Sequence, residues 1–277
     1  MALLINTNIQ SMNAQRNLSK TQTDLSTSLT RLSSGLRVNS AKDDAAALYA
    51  IATMTADVRG INQAVRNAAD GISFGQTAEG ALAEIEANLQ RIREIAVQSA
   101  NGTVQDRTGL QSEVDQLTQE ISRIIETSQF NGQDLLKNSS AITFQVGQDG
   151  AATHQVAVSG VNLTSLTGYS SNVTSTSVID VDDQANASAS IANIEAAITS
   201  VASNRATFGA VQNRFEAVIS NLENYAENLT AARSRIQDAD FAAETARMTR
   251  AQILQQAGVA MVAQANSLPQ TALSLLQ

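Results

Sequence analysis

Few residues in this 277-residue chain have the types and spacing that catalysis requires. His154 is the only histidine and there is no cysteine, which excludes thiolate catalysis, disulfides and cysteine-based metal sites. Asp182 and Asp183 are adjacent carboxylates in a stretch rich in Ser and Asn, so we expect water to solvate them. Neither the HExxH spacing of zinc proteases nor the GxxxxGK spacing of phosphate-binding loops occurs. We therefore predict no catalytic residue, no metal site and no cofactor.

The composition and charge exclude several classes of partner. The formal net charge is −8 and the isoelectric point is about 4.7, which disfavours nucleic acid and anionic membrane surfaces. There is no apolar run of about 18 residues and no pattern of a cleavable signal peptide, so secretion is expected to need a dedicated route. Aromatic residues make up only 3% of the chain and proline occurs once. This composition favours long helices in a thin bundle over a thick globular core.

Apolar residues recur at helical spacing along the first 130 residues or so. The first series has the irregular three-four-seven steps of a coiled-coil seam. Its members are Leu18, Leu25, Leu29, Leu32 and Leu36. A longer series predicts one helix over residues 44–100, capped by Ser40 and ended by Asn101-Gly102. A third helix is expected to begin near Thr108 and to stop at Asn131-Gly132.

The middle of the chain changes from helical to alternating periodicity. Apolar residues alternate within 142–146 and within 156–158, on the two sides of Asp149-Gly150. Alternation around a glycine-containing turn predicts a β-hairpin. Residues 159–183 are rich in Ser, Thr and Asn, and we expect a surface loop there with a short strand at 178–181.

Helical spacing returns near Asp183, with an apolar residue at every seventh position. This series consists of Ile194, Val201, Phe208, Phe215, Leu222, Leu229 and Ile236. We interpret it as the core-facing seam of a long helix within the same chain.

The last stretch of the chain alternates small and large apolar residues and lacks an obvious partner of its own. Small residues let two helices approach closely, and Pro269 disfavours an isolated helix by about 3 kcal/mol. We therefore predict that this end packs against other copies of the chain, together with three leucines near the start. The predicted polymerisation seam comprises Leu25, Leu29, Leu32, Ala251, Leu254, Gly258, Met261, Ala265, Leu268 and Leu275.

From either end, the chain runs through a terminal helix and a long helical stretch to the β-rich middle. This symmetric order predicts that the first helix pairs with the last and the second with the fourth. The expected fold is mainly α, a long antiparallel helical bundle or coiled coil with discontinuous domains formed by both chain ends and a small β-hairpin region in the middle. The terminal coiled-coil domain is expected to comprise residues 1–43 and 236–277, and the helical rod residues 44–140 and 184–235. Residues 141–183 would form the hairpin and a variable loop.

Long runs at both ends of the chain resemble bacterial flagellin. At the start these are INTN (Ile5–Asn8), RLSSGLR (Arg31–Arg37), NSAKDDAA (Asn39–Ala46), GISFGQTAEGALAEI (Gly71–Ile85), LQRIREIAVQSANGT (Leu89–Thr103) and SQFNG (Ser128–Gly132). At the end they are DADFAAETARMTRAQILQQAG (Asp238–Gly258) and QANSLPQTALSLL (Gln264–Leu276). The resemblance covers about residues 1–140 and 190–277. The middle is short for this family, which implies few or no outer domains.

The resemblance implies a structural subunit that polymerises into the flagellar filament for swimming motility. Such a subunit is secreted by the flagellar export apparatus to the extracellular filament. Its implied partners are copies of itself, an export chaperone, the filament cap and the hook-junction proteins. No nucleic acid and no membrane is expected among them.

The resemblance also implies recognition by host innate immune receptors. The positions that match a surface read by a Toll-like receptor are Gln90, Arg91, Ile95, Gln98 and Glu113. Leu275 and Leu276 resemble residues read by a cytosolic inflammasome sensor.

Three other interpretations remain open at the level of the sequence. A hook–filament junction protein has similar ends but usually departs from the QRIREIAVQSAN run. A secreted enzyme on a flagellin scaffold would need an inserted domain with a metal or nucleophile signature, and this middle is too short. A soluble coiled-coil adaptor would leave the two-ended match unexplained.

Overall fold

The structure, a computed structural model, describes the backbone of residues 8–274 and the side chains of residues 8–267. Within these residues there are five α-helices, namely α1 (Ile9–Ser34), α2 (Ala45–Ser99), α3 (Thr108–Thr127), α4 (Gln184–Gln237) and α5 (Phe241–Ser274). Four short strands lie between α3 and α4. The prediction of a mainly α fold with a small β-hairpin in the middle is confirmed.

The chain divides into two compact units. One unit contains the described residues up to Val58 together with those from Glu227 onward, so both chain ends contribute to it. The other unit is Arg59–Ala226. The finer five-part division expected from the sequence remains a prediction.

The first unit is organised by α1 and α5, which pack antiparallel. Asn8 at the start of α1 contacts Ala265 near the end of α5, and Leu18 lies beside Gly258, where a Cβ would stand 3.2 Å from the leucine Cδ1. Gly35 ends α1 in the left-handed conformation with φ 73°. Its carbonyl accepts a hydrogen bond of 2.9 Å from the N–H of Ala239, which ties the end of α1 to the turn before α5.

Four threonines on α1 satisfy their own hydroxyl groups. Each hydroxyl donates to the backbone carbonyl four residues earlier in the same helix, at 2.9 to 3.1 Å. These residues are Thr21, Thr23, Thr27 and Thr30. Their polar groups therefore need no partner outside α1.

The start of α2 differs from the prediction. Helix α2 begins at Ala45, and the Oδ1 atom of Asp44 accepts a hydrogen bond of 2.9 Å from the N–H of Ala47. Asp44 is therefore the N-cap, and the expectation that Ser40 has this role is wrong. Ser40 instead donates its hydroxyl to Asp43 at 2.9 Å, which closes a local turn before the helix. The long helix itself is confirmed.

The second unit has one apolar core shared by α2, α3 and α4. The series predicted at every seventh position of α4 is buried at Ile194, Val201, Phe208 and Phe215. Phe74 of α2 lies at the centre of an aromatic cluster, with its ring centroid 6.3 Å from that of Phe208. The prediction that this seam forms a core within the chain is confirmed for these four positions.

Two antiparallel ladders cover this core. The strands β3 (Ile142–Gln145) and β4 (Gln155–Val158) pair with Ile142 opposite Val158, which confirms the predicted hairpin. The strands β1 (Gln129–Phe130) and β2 (Gln133–Asp134) form a second ladder that the sequence did not predict. Asn131 and Gly132 both have positive φ and make its turn. Helix α3 has already ended at Thr127, so the expectation that these two residues stop it is wrong.

The segment 159–183 is not a surface loop, contrary to the expectation. Five of its apolar side chains are buried, namely Val161, Leu163, Leu166, Ile179 and Val181. The expected strand at 178–181 is absent from this part of the described chain. The backbone is held by side chains, because Gln111 donates to the carbonyl of Ile179 at 2.9 Å and accepts from the N–H of Val181 at 2.8 Å. This amide takes the place of a strand partner.

Candidate functional site

The residues considered as candidates for catalysis, His154, Asp182 and Asp183, do not form a catalytic site. His154 is half-buried, and its Nδ1 accepts a hydrogen bond of 3.3 Å from the backbone of Asp149 in the hairpin turn. Asp183 accepts from the N–H of Asn186 at 2.8 Å, so it caps the start of α4. A hydrogen bond shared with Asp180 raises the pKa of Asp182, but both side chains remain accessible to water. None of these groups converges on a common point.

One catalytic spacing was missed in the sequence. Residues Gly71 to Gly75 read G-x-S-x-G, the pattern of a hydrolase nucleophile, which requires a sharp turn from a strand into a helix. Here Ser73 lies inside α2, and its Oγ donates to the carbonyl of Ala69 at 3.1 Å. The pattern therefore has no catalytic geometry. Across residues 8–274 no cluster of His, Asp and Glu side chains could hold a metal ion, and no helix is long and apolar enough to cross a membrane.

The predicted polymerisation seam on α5 divides into buried small residues and exposed large residues. The small residues face α1, because Ala251 and Ala265 are 6% and 7% exposed and Gly258 lies against Leu18. The spacing of seven residues keeps all three on one side of the helix. These positions therefore form the contact between α1 and α5 of the same chain.

The large residues of the seam are exposed, although Leu254 also lines a groove with Thr27 and Ser28 of α1. Leu254 and Met261 are 52% and 62% exposed, and other large apolar side chains extend this surface. These are Phe241, Ile253 and Val259 on α5. An open groove of about 880 Å³ runs between Phe241 and Leu254. Phe241, Ile253 and Leu254 line this groove together, and contiguous exposed apolar side chains of this kind indicate a surface that another molecule covers.

The remaining seam residues are less uniform. On α1, Leu29 is exposed, whereas Leu25 and Leu32 are half-buried. The side chain of Leu268 and the whole of Leu275 lie outside the described residues. We name the exposed apolar surface of Leu29, Phe241, Ile253, Leu254, Val259 and Met261 the terminal apolar surface.

The residues predicted for receptor recognition gather on α2 and α3, with one exception. The Nε of Arg91 donates to Glu113 Oε1 at 2.8 Å, and its Nη1 donates to Glu94 Oε2 at 2.9 Å. The hydrogen bond with Glu113 raises the pKa of Arg91 further above its usual value. Gln90 and Gln98 are exposed on the same helix. The arginine is thus held in a fixed orientation at the surface.

Ile95 does not belong to this surface. Its side chain is 1% exposed and lies in the core of the second unit. It is four positions after Arg91, but the two side chains diverge because Ile95 belongs to the same apolar stripe as Ile92. Its expected place on the exposed face is corrected accordingly. Leu275 and Leu276, predicted for an inflammasome sensor, lie outside the described residues.

Asn8 contributes to the terminal helices in a way that the sequence did not reveal. Its side chain accepts from the N–H of Ser11 at 3.1 Å and donates to the carbonyl of Ala265 at 2.7 Å. An asparagine just before a helical seam is a cap signal, but its contact with α5 could not be inferred from local spacing.

Comparison with known proteins gives a consistent result over the whole chain. The model of the bacterial flagellin N-terminal helical region matches residues 5–141, and that of the C-terminal helical region matches residues 191–276. The flagellin of Halalkalibacterium halodurans is 44% identical, with 99% of this chain and 100% of the relative covered. The flagellin of Bacillus subtilis is 40% identical, with 99% of each chain covered.

Solved structures of similar proteins include a second class of flagellar protein. The crystal structure of Bacillus cereus flagellin is 30% identical and covers 61% of this chain and 94% of that one, with a TM-score of 0.48. A putative flagellar hook-associated protein from Vibrio parahaemolyticus is 15% identical and covers 71% of this chain and 100% of that one, with a TM-score of 0.60. At this identity the second likeness concerns the fold alone.

Proposed function

Starting from the premise that this chain belongs to the bacterial flagellin family and is a structural subunit of the flagellar filament, we propose that its copies polymerise through the terminal apolar surface. Flagellins are filament proteins and not enzymes. The observation that carries the proposal is the exposure of Leu254 and Met261 at 52% and 62%, on a helix whose small residues are already used against α1.

The energetics favour burial of this surface in a polymer. Moving a large apolar side chain from water to a packed interior contributes roughly 1.5–3 kcal/mol. The terminal apolar surface has six such side chains, each already about half covered, so complete coverage by neighbouring copies would contribute about 5–10 kcal/mol per subunit before the entropy of association is subtracted. In a filament the same contact is repeated between identical subunits, so one interface covers the apolar surface of every copy. A second copy of the chain is therefore the partner that we propose.

The test is seeded polymerisation of purified variants. The double substitution Leu254→Gln and Met261→Gln removes apolar area from the terminal apolar surface and leaves Ala251, Gly258 and Ala265, the small residues packed against α1, unchanged. We expect monomers that stay helical by circular dichroism but fail to elongate filament seeds. Val97→Gln is the matched control, since Val97 is 53% exposed on α2 and outside the surface. Deletion of residues 251–277 should likewise abolish filaments. Normal filaments from the double variant, seen by electron microscopy, would contradict the proposal.

The route to the filament belongs to the same proposal. The chain is exported by the flagellar export apparatus and uses an export chaperone, the filament cap and hook-junction proteins on the way. Membership of the flagellin family supports this route. Loss of extracellular protein in a strain without the flagellar export gate is the expected result, and unchanged secretion in that strain would contradict it.

A second proposed role is recognition of the monomer by a host Toll-like receptor. Gln90, Arg91, Gln98 and Glu113 form the candidate surface, and the orientation of Arg91 by Glu113 supports it. A guanidinium that is already positioned loses less conformational entropy when a partner binds it. Ile95 takes no part, because it is buried. Recognition of Leu275 and Leu276 by an inflammasome sensor remains a proposal drawn from family resemblance.

A further inference from the structure

Asn8 uses both ends of its side-chain amide, one on each terminal helix. The Oδ1 atom accepts the N–H of Ser11 and thereby caps α1, while the Nδ2 atom donates to the carbonyl of Ala265 in α5. We propose that Asn8 is a positioning residue that fixes the register of α1 on α5 by supplying the hydrogen bond that Pro269 cannot make.

The carbonyl of Ala265 has a specific need for a donor from outside its own helix. In a continuous helix the carbonyl of residue 265 accepts from the N–H of residue 269. Helix α5 extends to Ser274, but residue 269 is proline and has no N–H. Ala265 is 7% exposed, so water has little access to replace the missing donor. A buried carbonyl without a partner is destabilising, and the Nδ2 of Asn8 at 2.7 Å prevents this.

The two hydrogen bonds of Asn8 determine the orientation of its amide. Within a side-chain amide, only the oxygen can accept the N–H of Ser11 and only the nitrogen can donate to the carbonyl of Ala265. One orientation of the amide satisfies both. A carboxylate in its place has no donor, and a serine hydroxyl is too short to reach the carbonyl of Ala265 as well. Next to this bond, Ser11 donates its hydroxyl to the Oδ1 of Asn266 at 2.7 Å, and Ser11 is 6% exposed. Two polar contacts therefore join the first turn of α1 to one turn of α5.

The apolar contacts between α1 and α5 do not specify the register by themselves. Ala251, Gly258 and Ala265 repeat at seven-residue steps on the face that packs against α1. A slip of seven residues would place one small residue where another had been, at little cost in packing. A buried polar contact at one position of a coiled coil discriminates between such registers. Asn8 has this role, because among the three small residues only Ala265 is followed four residues later by proline.

The register determines which parts of the terminal apolar surface lie side by side, since Leu29 is on α1 and Met261 on α5. This consequence for assembly rests on the proposed polymerisation surface. The hydrogen bond between Asn8 and Ala265 does not depend on that surface, and separate experiments test the hydrogen bond and the polymerisation surface.

The experiment is a double-mutant cycle read by amide hydrogen exchange in intact filaments. Asn8→Asp keeps the cap acceptor and adds a charge that a helix N-terminus favours, but it removes the donor. Pro269→Ala restores the N–H that Ala265 needs. We expect Asn8→Asp to accelerate exchange in peptides covering residues 262–272 by about fivefold, the size expected for one lost hydrogen bond. In the Pro269→Ala background the same substitution should have an effect smaller than twofold. Asn17→Asp, at an exposed asparagine of α1, controls for the added charge.

A second variant keeps the inference testable if Pro269→Ala filaments do not form. Asn8→Ser retains a cap acceptor, but its hydroxyl is too short to reach α5. We expect peptides covering residues 9–14 to keep their protection while those covering 262–272 lose it. The inference would be overturned if Asn8→Asp had equal effects with proline and with alanine at position 269. It would also be overturned if peptides covering residues 262–272 kept full protection in Asn8→Ser filaments. In either case Asn8 would only cap α1. Neither result would affect the polymerisation surface, which the Leu254→Gln and Met261→Gln variant tests independently.

Discussion

Phe215 of α4 lies so close to Gly71 of α2 that a Cβ on the glycine would stand 2.6 Å from the phenylalanine Cζ. The absence of a side chain at position 71 therefore allows the aromatic ring to occupy the space between the helices. Phe215 is fully buried, and its ring centroid is 5.5 Å from that of Phe144 in the hairpin. This one glycine thus supports contacts among α2, α4 and β3.

Gly71→Ala should destabilise the second unit. The added methyl group must displace a buried ring, and overpacking of this kind costs about 1–3 kcal/mol. Gly80→Ala is the matched control on the same helix, because nothing lies within 4 Å of a Cβ at that position. That variant should gain up to about 1 kcal/mol from higher helix propensity. Chemical denaturation of the two variants measures the difference, and equal free energies of unfolding would contradict the close approach.

Removal of the Glu126 carboxylate should change how stability depends on pH. The side chains of Lys137 and Tyr169 donate to this carboxylate at 2.7 and 2.6 Å and hold its pKa below the ordinary value of 4.5. A depressed pKa stabilises the folded state above about pH 4.5, and this contribution is lost as the pH falls through the folded-state pKa. The wild-type chain should therefore lose more stability on acidification below pH 4.5 than Glu126→Gln.

The control for this titration is Glu223→Gln, at an exposed glutamate on α4. Its acid profile should follow that of the wild-type chain. Unfolding by denaturant at a series of pH values gives the comparison. Parallel profiles for Glu126→Gln and the wild type would show that Lys137 and Tyr169 do not stabilise the carboxylate.

Arg91→Ala should weaken signalling through a Toll-like receptor. Loss of one charge-assisted hydrogen bond should shift the dose–response curve of a reporter cell by about tenfold toward higher concentration. Arg123→Ala is the comparison, because Arg123 is also exposed and also paired with a glutamate, but it lies outside the candidate surface. Unchanged curves for Arg91→Ala, with monomer stability verified, would remove Arg91 from the recognition surface.

Asp44→Ala should weaken the start of α2. The variant loses the N-cap hydrogen bond to Ala47, which typically contributes about 1 kcal/mol. Ser40→Ala removes only a hydroxyl in the preceding turn and should have a smaller effect. Amide exchange at residues 46–48 distinguishes the two. A larger effect for Ser40→Ala would restore Ser40 as the cap.

Periodicity was sufficient to predict the elements that bury one continuous stripe. The seven-residue series of α4 gave both a helix and its core-facing residues, of which Phe208 and Phe215 are buried. Alternation at 142–146 and 156–158 gave the β3–β4 hairpin, because only one face of that ladder meets the core. In both cases a local pattern corresponds directly to a buried surface.

Features that depend on distant contacts could not be predicted in this way. Segment 159–183 is polar in composition, and its attachment to the core depends on Gln111, about seventy residues earlier. The exposure of Leu254 and the burial of Ala251 depend on which side of α5 meets α1, which the repeat alone leaves undetermined. Family resemblance placed Ile95 on the recognition surface, but it is buried in the apolar stripe that includes Ile92.

The threonine hydroxyls of α1 bear on how freely this helix can be surrounded. Each of the four donates to a carbonyl of its own helix, so none demands a matching acceptor from whatever molecule covers it. Between Thr21 and Thr30, neighbours can therefore be exchanged without breaking hydrogen bonds from these hydroxyls, whereas the start of α1 stays joined to α5 through Asn8 and Ser11.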